Sequence, residues 1–214
     1  MNKSLKYIIN KFNPIIAPRG GTEIYGINRT IMAATLNELK FKEGAEVGVA
    51  EGYHAKVLCD ANPSLKLHCV DIWEKYPGYE EYSDPEKCFE EAQARLKPYD
   101  CKFIKKYSMD AFFDFKDNSL DFVYIDGAHD FRSVADDICE WSRKVRVGGV
   151  VFGHDYKRSN SRSRFAVHVK DVVDAYMYSH GISPWFVLTN DIRDKIFGPD
   201  NPGWMYVRQK SDKL

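Results

Sequence analysis

Two apolar runs in this chain end in residues of the types that move protons or hold cations. DFVYIDGAHDF (121–131) passes from mostly apolar residues straight into Asp126, Gly127, His129 and Asp130. GGVVFGHD (148–155) ends the same way, in His154 and Asp155. A histidine beside a carboxylate suits general acid–base chemistry, and the same groups are donors for a divalent metal. Asp130 fits the start of a helix better than it fits chemistry.

Three other apolar runs end in polar residues. In EVGVAEG (46–52), Gly48 and Gly52 with small Ala50 between them let backbone approach a ligand closely. A dinucleotide fingerprint needs G-x-G-x-x-G, with its third glycine five positions after the first, whereas these glycines stand four apart. Without a phosphate-cradling loop, the turn suits a phosphate-free ligand such as an adenosyl amino acid. Asp71 closes LHCVDIW (67–73), where a carboxylate can accept both hydrogens of a ribose diol. Ile72 and Trp73 can flank an adenine ring, or Trp73 can be an ordinary core residue. In KKYSMDAF (105–112), Ser108 and Asp110 come within reach of an adenine edge, although Ser108 also suits a helix N-cap.

These residues need elements to place them. Expected strands are 45–50, 66–73, 101–108, 119–126 and 148–155, with two more near 183–190 and 203–209 close enough to pair antiparallel. Helices fall between them: 53–62, one capped by Asp84 with Pro85 at its first position, 130–146, and 165–181 with Gly181 as its C-cap. Ile27, Ile31, Ala34, Thr35 and Leu39 share a helical face, predicting a helix over 23–39. Residues 1–22 suggest a short helix or arm leading to a loop. The fold expected is α/β: a Rossmann-like, mostly parallel seven-stranded sheet with helices on both faces and an antiparallel C-terminal strand pair. Residues 1–40 form an N-terminal helical extension or cap, and 41–214 the main domain. In such sheets ligands bind beyond the carboxyl ends of the strands, and all five polar packets lie there.

Composition narrows the classes. The 214 residues are 44% hydrophobic and 14% aromatic, enough for a full core. Lysine plus arginine (31) balances aspartate plus glutamate (31), so the broad basic footprint of a nucleic-acid binder is missing. Five cysteines, with no C-x-x-C pair, fit reduced thiols in a cytoplasmic protein. The basic N-terminus has only short apolar clusters, and no run approaches the roughly 20 residues of a membrane span.

The block SLDFVYIDGAHDFRSVADDICEWSRKVRVGGVVFGHDY (119–156), with EVGVAEG and VDIW, resembles the class I S-adenosylmethionine-dependent methyltransferases. It is similar in particular to their small-molecule subgroup related to macrocin O-methyltransferase, over roughly residues 40–180. The resemblance implies that Glu46, Gly48, Ala50 and Gly52 line the methionine and ribose part of the cofactor, with Asp71 on the ribose hydroxyls. It puts Ile72 on the adenine, Ser108, Met109 and Asp110 at the adenine rim, and Asp126 beside the methionine amino group and the transferring methyl. Ala50 stands where the superfamily commonly has a glycine.

An oxygen nucleophile must lose its proton, and two routes are open. Metal-dependent relatives take one carboxylate after the fourth strand and a pair after the fifth. Asp126 and Asp155 occupy matching places, with His154 at the first position of the pair. All-oxygen ligands suit Mg²⁺, whereas a mixed set leans toward Mn²⁺, Zn²⁺ or iron. The rival route makes His129 or His154 the general base, oriented by Asp126 or Asp155. A third reading leaves His154 and Asp155 capping a turn.

The expected activity is therefore methyl transfer from S-adenosylmethionine to a small molecule, chiefly a hydroxyl of a sugar or related metabolite. The alternatives are a nicotinamide-dependent oxidoreductase and a non-catalytic cofactor-binding partner protein. Lys157, Arg158, Arg162 and Arg164 in the loop 156–165 can attract an anionic acceptor or simply solvate the loop. The acidic stretch 74–91 reads as a solvated face or partial lid, and residues 1–35 as a cover over the substrate or a contact in a homo-oligomer.

Overall fold

Seven apolar runs become strands, and an eighth joins them from the N-terminal segment. The computed structural model describes residues 2–75, 84–159, 167–189 and 201–214. Its strands are β1 (Thr22–Tyr25), β2 (Glu43–Val47), β3 (Lys66–Asp71), β4 (Cys101–Lys105), β5 (Leu120–Ile125), β6 (Val145–Gly153), β7 (Trp185–Thr189) and β8 (Gly203–Val207). They form one sheet in the order β1-β7-β8-β6-β5-β2-β3-β4. All neighbours are parallel except β8, which is antiparallel to both β6 and β7. Central β5 and β6 are apolar almost without interruption because both faces are covered.

The helix expected over 23–39 is shorter than its spacing suggested. Gly26 turns the chain at φ +73°, and the Asn28 side chain accepts the Ile31 N–H at 2.9 Å, so α2 is Arg29–Glu38. The residues ahead of that turn, TEIY, bury Thr22 and Ile24 while exposing Glu23 and Tyr25, and they pair with β7 as an edge strand. Four residues of period-two pattern are too few to stand out beside a helical stripe. This strand makes the sheet eight-stranded rather than seven.

Helices cover both faces. The helices α1 (Lys3–Phe12), α2, α3 (Tyr53–Ala61) and α4 (Pro85–Leu96) bury Leu5, Met32, Leu58 and Leu96 against Phe122 and Phe152. On the other face α5 (Ser108–Ala111), α6 (Phe131–Lys144) and α7 (Val169–Ser179) bury Ala111, Ile138, Trp141 and Val172 against Val123 and Val151. Full burial of a side chain such as Ile138 contributes roughly 1.5–3 kcal/mol. Asp84 caps α4, accepting from the Lys87 N–H with Pro85 in the first turn, and Asp130 caps α6 through the Arg132 and Ser133 N–H groups.

From β2 the chain runs outward through β3 to β4, then crosses back to place β5 on the other side of β2. Strand order therefore reverses between β2 and β5, the place beyond whose strand ends such sheets bind ligands in a crevice. Among the described residues no helix is long and apolar enough to cross a membrane. Residues 76–83 of the acidic stretch, and Arg162 and Arg164, lie outside the described residues.

Candidate active site

Backbone hydrogen bonds hold the strand ends in register up to the crevice. The Asp126 N–H donates to Val47 O at 2.8 Å, the Gly48 N–H to Val70 O at 2.9 Å, and the His154 N–H to Ile125 O at 3.2 Å. Gly48 has φ +87°, and a Cβ there would sit 2.1 Å from the Asp126 carbonyl oxygen. The turn after β2 can thus lie against the turn after β5 only with glycine at this position.

Asp71 builds the rest of that turn. Its Oδ2 accepts from the N–H groups of Val49 and Ala50, both at 2.9 Å, and its Oδ1 from the Trp73 N–H at 2.9 Å. Ala50 is thereby held at φ +50°, a left-handed conformation costing a non-glycine residue roughly 1–2 kcal/mol. Trp73 turns away from the crevice. It is buried among Phe89 and Phe103, with its Nε1 donating to Ala50 O at 2.9 Å, and so is a core residue rather than a flank for a ligand.

A cavity of about 400 Å³ opens at the switch point. Its wall brings together Gly48, Asp71, Ile72, Ser108, Met109 and Asp110 of the expected residues, along with Gly127 and Ala128. Ala50, Gly52 and Asp126 lie off this wall. Glu46 does too, because the alternation of β2 sends Val47 toward the cavity and Glu46 to the opposite face. Ser108 is not an N-cap: Tyr107 holds that place, and the Ser108 hydroxyl donates to Asp137 while accepting from Trp141 Nε1 at 2.7 Å.

Asp137 was not anticipated. It is buried on the cavity wall, and burial pushes its carboxyl up to about 7, Asp136 and Asp130 adding to the effect while the Ser108 hydroxyl opposes it. Its sequence signal is its place on the Val134–Ile138–Trp141 stripe, where an acid interrupts an apolar helix face.

On the other face Glu46 is buried, its Oε1 3.4 Å from His54 Nδ1 and its Oε2 without a hydrogen-bond partner among the described residues. Burial and then the charge of Asp126 push its carboxyl well above the ordinary range, against the pull of Arg29. His54 lies against the Tyr124 ring, 4.0 Å between centroids, and the Tyr124 hydroxyl donates to Asp126 Oδ2 at 3.2 Å. A smaller hollow of about 30 Å³ is lined here by Arg29, Met32, His54, Tyr124, Phe152 and His154.

Between the two spaces the structure brings together all four expected catalytic residues. His129 Nε2 lies 3.0 Å from Asp155 Oδ2 and 3.5 Å from Asp126 Oδ1, within ion-pair range but off a hydrogen-bonding direction. His154 Nδ1 is 3.3 Å from Asp155 Oδ2 and 4.0 Å from Asp126 Oδ1. Burial alone would lower the His129 imidazole, but the two carboxylates override it and hold it raised to about 10. Burial likewise opposes ionisation of Asp126 and Asp155, and His129 and His154 hold both below the usual carboxylate range. Asp155 adopts φ +51°, with its Oδ1 accepting from Asn201 Nδ2 at 2.6 Å.

Asp126, His154 and Asp155 each offer one donor atom within 4.8 Å of the others, so the three fit a divalent cation. Their mixed oxygen and nitrogen character suits Mn²⁺ or Zn²⁺ better than Mg²⁺. Sequence reading also missed Arg29. Its Nη1 is 3.8 Å from Asp126 Oδ2, and its Nη2 is 3.1 and 3.0 Å from the two ring nitrogens of His154. A signal existed, since a cation in the first turn of a helix opposes the macrodipole. It was hidden by the misplaced start of α2.

This crevice, glycine turn and strand-end cluster coincide with a known domain. The profile of the methyltransferase domain family matches residues 45–156, more than half of the chain and from β2 to just beyond β6. The chain belongs to the methyltransferase domain family. By family and fold together it is a class I S-adenosylmethionine-dependent methyltransferase. No curated protein sequence matches this methyltransferase significantly. Among solved structures it is similar to an O-methyltransferase from Bacillus cereus in complex with SAH, with TM-score 0.62 and 13% identity, covering 97% of this chain and 92% of that one. It is similar to the O-methyltransferase TomG from Streptomyces achromogenes in complex with SAM, with TM-score 0.60 and 15% identity, covering 97% and 91%. An rRNA methylase from Streptococcus thermophilus matches at TM-score 0.59 and 10% identity, covering 86% and 98%. At these identities the likeness is one of fold, shared by proteins described as O-methyltransferases and by one described as an rRNA methylase.

Proposed function

We propose that this methyltransferase transfers a methyl group from S-adenosylmethionine to a hydroxyl of a small molecule, a sugar or related hydroxylated metabolite, within the macrocin O-methyltransferase-related subgroup. The observation that carries this reading is the proton-handling cluster of Asp126, His129, His154 and Asp155, set between the cavity at the switch point and the hollow beside α2. Bound in the cavity, S-adenosylmethionine supplies a methyl already activated by its sulfonium, so the chain's task is alignment, water exclusion and removal of the hydroxyl proton. Gly48 and Gly127 let backbone approach the cofactor, Ile72 and Met109 give apolar contact, and Asp71 holds the turn that frames the ribose.

His129 keeps its proton at neutral pH and acts as charge partner to the two carboxylates. His154 faces the hollow and is positioned to take the acceptor's proton. A divalent metal, where bound, would be held by Asp126, His154 and Asp155 and would lower the pKa of the acceptor oxygen. Residues 1–40 act as the cap that supplies Arg29 to the acceptor side. The neutral chain favours a small acceptor over a nucleic acid.

The test is to incubate the protein with methyl-labelled S-adenosylmethionine and a panel of hydroxylated small molecules, sugars and nucleotide sugars included, and to follow S-adenosylhomocysteine and labelled product. Asp126→Asn should abolish transfer. Stabilisation by NAD and not by S-adenosylhomocysteine would sink the cofactor assignment. Cofactor binding without transfer to any acceptor would favour the non-catalytic alternative.

A further inference from the structure

We infer that Arg29 is a resident counter-cation of the Asp126/Asp155 pair, and that it sets how tightly this site takes a divalent metal. The inference rests on the reading of Asp126, His154 and Asp155 as a cation site.

Arg29 opens α2 and reaches from the N-terminal segment to the ends of β5 and β6. Its side chain is only 16% exposed, and its guanidinium lies 3.8 Å from Asp126 Oδ2. The near-equal distances from Nη2 to both His154 nitrogens, 3.1 and 3.0 Å, place that atom against the ring and not on one lone pair. The in-plane lone pairs of the imidazole point in diverging directions, so no single N–H can meet both. Arg29 therefore places a permanent positive charge directly against the ring that would supply the nitrogen ligand.

The second carboxylate has its own cation, since Lys157 Nζ lies 3.3 Å from Asp155 Oδ1. Arginine does not deprotonate in proteins, so the charge next to Asp126 is present at every working pH. Arg29 thus faces Asp126, Lys157 faces Asp155, and the protonated His129 lies 3.5 and 3.0 Å from the two, so basic side chains of the chain itself already neutralise the pair. A divalent ion entering between them meets a neutralised pair and a nearby guanidinium. In this partly buried setting their repulsion is weakly screened. The chain would then run its chemistry with Arg29 in the electrostatic place of a metal, or bind metal only as Arg29 swings away. This role also explains why α2 starts with a cation where its dipole disfavours one.

The test measures Mn²⁺ binding by the full-length protein, by the electron paramagnetic resonance signal of free Mn²⁺ and by calorimetry. The variants are Arg29→Met, which keeps length and apolar stem, and Arg29→Lys, which keeps the charge. Arg29→Met should bind Mn²⁺ at least about tenfold more tightly than the unaltered protein, with Arg29→Lys close to the unaltered protein. Adding Asp126→Asn to Arg29→Met should remove the gain. Urea unfolding and S-adenosylhomocysteine binding verify folding, with Arg29→Gln replacing a methionine variant that fails to fold.

Equal or weaker Mn²⁺ binding in Arg29→Met overturns the inference and leaves the cation site standing. A gain that survives Asp126→Asn overturns it as well, because the ion then sits elsewhere. Absence of Mn²⁺ binding in every variant overturns both the inference and the cation site, while methyl transfer, measured separately, is untouched by that result.

Discussion

Nε2 of His129 stands 3.0 Å from Oδ2 of Asp155, tying the turn after β5 to the turn after β6. The contact is mostly buried and its two partners shift each other's proton affinity in opposite directions. It therefore works as a structural ion pair as much as a chemical group.

From that pair follows a pH-dependent stability. The His129 imidazole is raised from 6.5 to about 10, so its contribution is complete below pH 6.5 and declines as pH rises through 10. In urea unfolding, the unaltered protein should exceed His129→Gln most at pH 6, with the gap closing by pH 10. A constant gap across that range would contradict the ion-pair assignment.

Asp137 predicts the opposite sign for an acid. Its folded-state pKa is raised from 3.8 to about 7, so folding favours the protonated form and stability falls as pH climbs between those values. Asp137→Asn should keep the Ser108 hydrogen bond while removing the ionisation cost, on the order of a few kcal/mol above pH 7. We expect this variant to be more stable than the unaltered protein at pH 8 and similar at pH 4. Chemical unfolding at the two pH values checks this.

Asp71 accepts three backbone N–H groups, so its loss leaves buried donors unmet. Asp71→Ala should cost roughly 1–3 kcal/mol for each donor left without a partner. Asp71→Asn should fall between, because its amide nitrogen must face a donor. S-adenosylhomocysteine affinity, by calorimetry, should drop in the same order as stability, since one turn serves both. Unchanged affinity with lowered stability would separate the turn from the cofactor.

Gly48→Ala should be among the most damaging single changes. Its Cβ would collide with the Asp126 carbonyl, and φ +87° is adverse for any side chain. A loss above roughly 4 kcal/mol is expected, or failure to accumulate as folded protein. Gly26→Ala has a similar φ of +73° but open space around its Cβ, so it should cost only roughly 1–2 kcal/mol. Comparable damage from the two would show that close approach is not what Gly48 provides.

Much of this protein was legible from its residues in order. β5 and β6, after which Asp126 and Asp155 stand, are nearly continuous apolar runs, because both faces of a parallel sheet are covered. Asp84 and Asp130 announce their helices because a cap is a local interaction between residues two or three apart. The sheet class, the crevice at the strand ends and the polar packets around it all follow from such short-range rules.

Which face a side chain takes, and which distant residue it meets, depends on packing. Glu46 is one peptide from Val47 yet faces the other side of the sheet, a consequence of register that only the assembled strands settle. Trp73 turned inward because Asp71 bent the backbone after β3, and β1 emerged because β7 offered an open edge. Arg29 reached Asp126 across 97 positions of sequence, and Asp137 became a buried acid only when α6 closed on Ser108. The sequence by itself determined most of the elements and the chemistry available at their ends. Tertiary structure alone decided the charge balance at the site, because electrostatic partners are chosen by distance in space and not by position along the chain.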